Sequence, residues 1–250
     1  MPPVPRRSMV APLQHPSSHD NLQSWARLAG VLGIVTFIGG GFGEAYVPSV
    51  ILVSGDAAAT ARNILANESL FRWGFAGYLL EALCDAGLTL AFWVLVRPVH
   101  RTLALGMVVF RIISTCGFAG AMMLWFGALS TLKGSGGLAA YPREQLDAFV
   151  YALLRISGFG QALFSMFYGV ANVIFAWLIY RSGYIPRLFG VGFAIMGISF
   201  TLRTFLLVLA PAYASPLLLV VAGVVFPPFV VWLLVRGVDI QKWQARTHAA

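Results

Sequence analysis

Apolar residues run along this chain in six stretches of about 20 residues or more, the length that crosses a bilayer as a helix. The polar residues fall mostly between them. The pattern predicts spans at 25–46, 71–96, 102–129, 157–180, 188–210 and 216–235. The fourth is the longest: 144–180 reads helical throughout, too long for one perpendicular crossing, so an entry turn at Pro142 and then a tilted or broken span are expected. The expected fold is all-α, a polytopic membrane bundle of six transmembrane helices. Its divisions are a disordered cytoplasmic tail at 1–24, a membrane domain at 25–238 and a cytoplasmic C-terminal tail at 239–250.

The connections differ in charge. Arg97, Arg101, Arg181 and Arg187 stand in two short turns, and they share a side with Arg6, Arg7, Arg27, Arg236, Lys242 and Arg246. Arg62, Arg72, Lys133 and Arg143 fall on the other side. Positive charge collects on the cytoplasmic face, so both termini are expected inside, N-in/C-in. Trp25, Trp93, Trp177 and Trp232 near the inner ends, with Trp73 and Trp125 near the outer ends, read as interfacial belts. The first outer loop is long enough for a helix of its own near 56–67. Asp56 is placed to cap it, with Ile64 and Leu65 buried beneath.

Composition agrees with the pattern. The 250 residues are 59% hydrophobic and only 10% charged, against about 25% charged in a soluble domain, and mean hydropathy is +0.80. The net charge of +8 is explained by the basic turns, and no nucleic-acid partner is expected. Cys84 and Cys116 lie in apolar stretches without C-x-x-C spacing and are expected to be buried thiols acting as small apolar side chains. His15, His19, His100 and His248 all lie outside the spans, which argues against an intramembrane haem or histidine metal site; no cofactor and no metal are expected.

Charge inside the spans carries what chemistry there is. Glu81, Asp85, Arg111 and Arg203 lie within them, Glu44 and Arg155 at the outer rim, and Arg27 at an inner end. A central charge costs about 2.5–3.5 kcal/mol to insert, so each needs a partner. Counted from the inner ends, Asp85 lies about 18 Å deep and Arg111 about 15 Å, while Glu81 and Arg203 both lie about 24 Å deep. Depth thus pairs Asp85 with Arg111 and Glu81 with Arg203. Two readings follow. The pairs fix helix order and register, or they line a polar site that binds an ionic or polar ligand. Tyr78, Ser114, Thr115, Gln161, Ser165, Tyr168, Asn172, Ser199 and Thr201 could extend the network. Gly39 and Gly43 have the small-xxx-small spacing of close helix packing, with a glycine-rich substrate site as the sharper alternative. Pro227-Pro228 is expected to kink the sixth span.

No HExxH, GxSxG or P-loop occurs, and no nucleophile–base set identifies a reaction. Several stretches do resemble a family: GDAAATARNILANESLFR (55–72), LCD (83–85), LVRPV (95–99), YRSGYIPR (180–187) and WLLVRGV (232–238). They are similar to the bacterial membrane proteins catalogued as domain of unknown function 4386, over roughly 25–238. The resemblance implies a multi-pass protein of the bacterial inner membrane and no particular activity. The reading is a membrane protein of unknown activity that binds or moves a small polar or lipid-like solute, its partners being that ligand and the lipid bilayer. The alternatives are a scaffold or regulatory partner with purely structural charges, and an enzyme acting on a lipid or quinone. Oligomeric state is not legible.

Overall fold

A computed structural model describes residues 18–249. The expected N-terminal tail falls mainly on residues 1–17, outside the described residues. Among the described residues there are nine α-helices and no strand. Six of them are long and apolar enough to cross a membrane: Asn21–Ile51, Glu68–Val96, Arg101–Leu132, Arg143–Ser182, Arg187–Leu209 and Leu217–Val235. The first is composite. Helix α1 (Ser18–Gly40) passes into one wide π-helical turn, Gly41–Tyr46, and then into the short α2 (Val47–Ile51). The others are α4 (Glu68–Val96), α5 (Arg101–Leu132), α6 (Arg143–Ser182), α7 (Arg187–Leu209) and α8 (Leu217–Val235), with α3 (Ala57–Ala66) in the first loop and α9 (Ile240–Ala249) at the end.

The spans stand in a ring in chain order. Each packs against its sequence neighbours, and α8 closes the ring on α1. Short turns make consecutive helices antiparallel neighbours. Glycine allows the closest approaches. A Cβ on Gly197 would lie 2.5 Å from the Gly169 carbonyl, and one on Gly43 would lie 3.2 Å from the Gly74 carbonyl. The glycine run in the first span therefore serves close packing against α4, as small-xxx-small spacing does elsewhere.

At one end, four spans send a phenylalanine to the centre. Phe92 stacks on Phe175 at 4.5 Å, Phe175 meets Phe193 edge-on at 5.1 Å, and Phe193 meets Phe229 at 4.9 Å. All four lie about 8–10 Å from the end that carries the basic turns, so they form one layer. At the other end a second core collects Val47, Ile51, Ala61, Ile64, Phe71 and Trp125 under α3.

The first-loop helix forms where expected, and the Asp56 carboxylate accepts from the Ala59 N–H at 2.7 Å. Helix α3 roofs the bundle, and the Gly55 N–H donates to the Tyr151 hydroxyl at 2.8 Å, pinning the roof to α6. Several expectations are corrected. Leu65 is 38% exposed, because the buried face of α3 is Thr60, Ala61 and Ile64, and Leu65 is turned one residue past it. Trp125 is not a belt residue: it is buried, stacked on Phe71 at 5.3 Å beneath the loop. Cys116 is exposed, while Cys84 is buried. Helix α6 is one unbroken helix of 40 residues, about 60 Å long. No break occurs near Ser157, whose hydroxyl donates to the Ala121 carbonyl of α5. The excess length is used by Leu146 and Val150, buried at the loop end. Pro227 and Pro228 both stand inside the single helix α8, where neither can donate to the carbonyl four residues before it.

Candidate functional site

The turn 97–100 sets the register of α4 against α5, and His100 caps α5 by accepting from the Leu103 N–H at 3.2 Å. This register brings Asp85 and Arg111 together. The Arg111 guanidinium donates through Nη2 to Asp85 Oδ1 in a close ion pair. Its Nε donates to the Thr89 hydroxyl at 2.8 Å, and that hydroxyl donates in turn to the Asp85 backbone carbonyl at 2.8 Å. Thr115 donates to Asp85 Oδ2 at 2.7 Å. Two rings cover the guanidinium: Tyr168 at 4.9 Å and Phe92 at 5.3 Å. Arg111 is 1% exposed and Asp85 5%. The pair rests directly on the phenylalanine layer, partnered on every side and sealed.

Thr89 and Phe92 were not singled out from the sequence. Both stand on the face of Asp85, four and seven residues on, and that spacing was the available signal.

Glu81 and Arg203 do not pair. In a ring ordered α1, α4, α5, α6, α7, α8, helix α4 stands opposite α7. Matching depth fixes height along the membrane normal and says nothing of azimuth. Glu81 instead lies against the first span, its Oε1 2.9 Å from where a Cβ on Gly40 would stand. Its Oε2 is buried without a hydrogen-bond partner, and so is Arg203 Nε. Both residues are half-buried as a whole. Asn172 is fully buried on α6, one turn from Tyr168, and neither its amide nitrogen nor its oxygen has a partner. Thr36 on α1 is buried with its hydroxyl unpartnered.

The rim residues are also apart. Glu44 lies in the π-helical turn, exposed, within electrostatic reach of Glu81. A single π turn inserted in a helix is a frequent mark of functional sites. Arg155 is exposed on α6 over the Phe159 ring at 5.6 Å, beside Leu52 and Ser54 of the loop. Among the described residues no ion pair joins Glu44 to Arg155. Of the other candidates, Tyr78 donates to the Gly43 carbonyl at 2.7 Å and Ser114 to the Phe164 carbonyl at 2.9 Å. Ser165 turns back on the Gln161 carbonyl, and Gln161 itself reaches the Met122 sulfur at 3.7 Å.

The family model described as Domain of unknown function (DUF4386) matches residues 28–237. The chain belongs to this family. No curated protein and no solved structure matches the chain. The DUF4386 match takes in the ring, the roof helix and every interior charge named above, and stops short of α9.

Three of the five stretches that resemble DUF4386 come together in space. LVRPV, YRSGYIPR and WLLVRGV meet at the basic end. The Leu95 carbonyl accepts from the Tyr184 hydroxyl at 2.7 Å and from Trp243 Nε1 at 3.0 Å. Gln23 of α1 donates to the Arg236 carbonyl and accepts from the Val238 N–H at 3.1 Å. Burial pushes the Tyr184 phenol above its ordinary range, which keeps it the neutral donor this knot needs.

Proposed function

We propose that this protein sits in the bacterial inner membrane with both termini in the cytoplasm, and binds or moves a small polar or lipid-like solute inside the ring. Glu81 and Arg203 are its opposed charged contacts and Asn172 its neutral one, while Asp85 and Arg111 hold the helices around it. The observation that carries this reading is the contrast in partnering. Asp85 and Arg111 have protein partners throughout, whereas Glu81 Oε2, Arg203 Nε and both polar atoms of Asn172 have none. A buried polar group without a hydrogen bond is costly, by about 1–3 kcal/mol on protein scales. Retaining three such groups, on α4, α7 and α6, favours a ligand that completes them. The phenylalanine layer sets the approach, so a solute reaches Glu81 from the end opposite the basic turns. Glu44, in its π-helical turn, stands on that approach.

The test is a thermal-shift screen of the purified protein against small zwitterions, organic cations and anions. A hit should stabilise the wild type and lose its effect in Glu81→Gln and in Arg203→Gln, with abundance unchanged in both. The scaffold reading is favoured for Asp85 and Arg111 by their sealed geometry. It takes the whole cluster if Glu81→Gln lowers abundance as much as Asp85→Leu does and no compound shifts the wild type.

A further inference from the structure

Interior chemistry leaves one built feature unused. At the basic end the turn between α6 and α7 faces the loop between α8 and α9 across a cleft of about 580 Å³. Arg187, Arg236 and Lys242 line it, with Asp239 as the lone acid and Tyr184 and Trp232 as aromatic wall. Asp239 is committed to Lys242 at 3.1 Å. Among the described residues neither arginine has a carboxylate partner, so two guanidinium charges stand uncompensated in one concavity. The Arg187 guanidinium lies over the Tyr180 ring at 5.4 Å, which orients it and leaves its N–H edge free of acid.

Helix α7 adds to the field. It begins at Arg187 in the cleft wall, runs 23 residues, and has no side-chain cap. Its first N–H groups and the positive end of its dipole therefore open where the arginines stand. The walls are fixed before any ligand arrives. Gly237 has a φ of +67°, and a Cβ there would lie 2.3 Å from Gln23 Oε1, so the loop is clamped on α1. The Asp239 N–H donates to the Tyr184 carbonyl across the back. Below the cleft the neighbouring faces of α7 and α8 are apolar and exposed, led by Leu188 at 79% and Val235 at 75%.

We propose that this cleft binds a phosphate-bearing anion, the headgroup of an anionic phospholipid whose acyl chains lie along the exposed strip of α7 and α8. Guanidinium forks match phosphate oxygens with paired hydrogen bonds, and basic pockets between spans at the membrane surface suit such headgroups. The cleft lies beyond the phenylalanine layer from Glu81, and this site stands or falls independently of the interior solute.

Native mass spectrometry of the full chain, in detergent supplemented with phosphatidylglycerol or phosphatidylcholine, tests it. Wild type should retain phosphatidylglycerol selectively. The pair Arg187→Gln, Arg236→Gln should retain it about tenfold less, the loss of about one charge-assisted hydrogen bond. The pair Arg97→Gln, Arg101→Gln removes the same charge from the same end outside the cleft and should retain it as wild type does. Hydrogen exchange on the wild type gives a readout free of variants: phosphatidylglycerol should slow the amides of 187–189 and 237–239, and phosphatidylcholine should not. Displacement by glycerol phosphate or inorganic phosphate would support the same anion chemistry with a soluble source. Equal losses in the two variant pairs would mean diffuse attraction to the basic face and overturn the proposal. So would unchanged exchange at 187–189 with every phosphate tested.

Discussion

Breaking the Asp85–Arg111 pair one side at a time is the sharpest perturbation of the ring. Asp85→Leu leaves a guanidinium that is 1% exposed, with the Thr89 hydroxyl and two ring faces as its remaining contacts. The rings recover about 0.5–2 kcal/mol at best. Stranding a buried charge costs about 3–5 kcal/mol. Arg111→Met strands the carboxylate instead, which keeps only Thr115, and should cost a similar amount. The double variant removes both charges in favour of apolar side chains of comparable volume and should fall within about 1–2 kcal/mol of wild type. The two losses therefore do not add, and the coupling energy should exceed about 3 kcal/mol. Unfolding in mixed micelles with increasing SDS fraction, followed by tryptophan fluorescence, measures all four proteins. If the double variant equals the sum of the singles within about 0.5 kcal/mol, the pair is not coupled and the account of the core is wrong.

Gly197→Val should destabilise by about 1–3 kcal/mol or more, because its Cβ would meet the Gly169 carbonyl at 2.5 Å; Gly223→Ala, with nothing within 4 Å, should be neutral or stabilising in the same assay. Asp56→Ala removes the cap of α3 and should cost about 1 kcal/mol, seen as faster exchange of the Ala59 amide, whereas Asp56→Asn should keep most of it. The hydrogen bond from Lys242 holds the Asp239 carboxyl below its ordinary range. Its support for the start of α9 is therefore present above the unfolded carboxylate pKa and is lost as pH falls through the folded one. Arg187 and Arg236 are further charged groups lining the same cleft, and amide exchange in α9 should rise on acidification in wild type and stay flat in Asp239→Asn. Reporter fusions after Gly137 should read outside and those after Gly183 inside; the reverse at either point would invert the orientation argued from basic turns.

Much of the interior was legible because Asp85 and Arg111 lie at similar depths on consecutive helices joined by a short turn. Depth and adjacency together left one arrangement. The same arithmetic failed for Glu81 and Arg203, whose depths also match, since their helices are separated by two others in the ring. Trp125 failed for a related reason. Its distance along the span placed it at an interface, but α3 and Phe71 cover that side of the bundle. The basic-end cleft was the least legible. Arg187 and Arg236 are two whole spans apart in sequence and were read only as determinants of orientation.

The sequence by itself determined that the chain is built of membrane-spanning helices, how many there are, where α3 is capped and which charges need partners. These follow from local quantities: runs of apolar residues long enough for the bilayer, a carboxylate ahead of a helix, and the cost of a charge among hydrocarbon. Only the tertiary structure decided which charges meet, which face of each span turns inward, and which basic turns share a cleft. Those depend on the rotation of each helix about its axis and on closure of the ring between α8 and α1. The ring is closed by contacts such as Val230 against Gly33, far apart in the chain. A hydropathy profile carries position along the membrane normal, and the azimuth appears only when the helices pack.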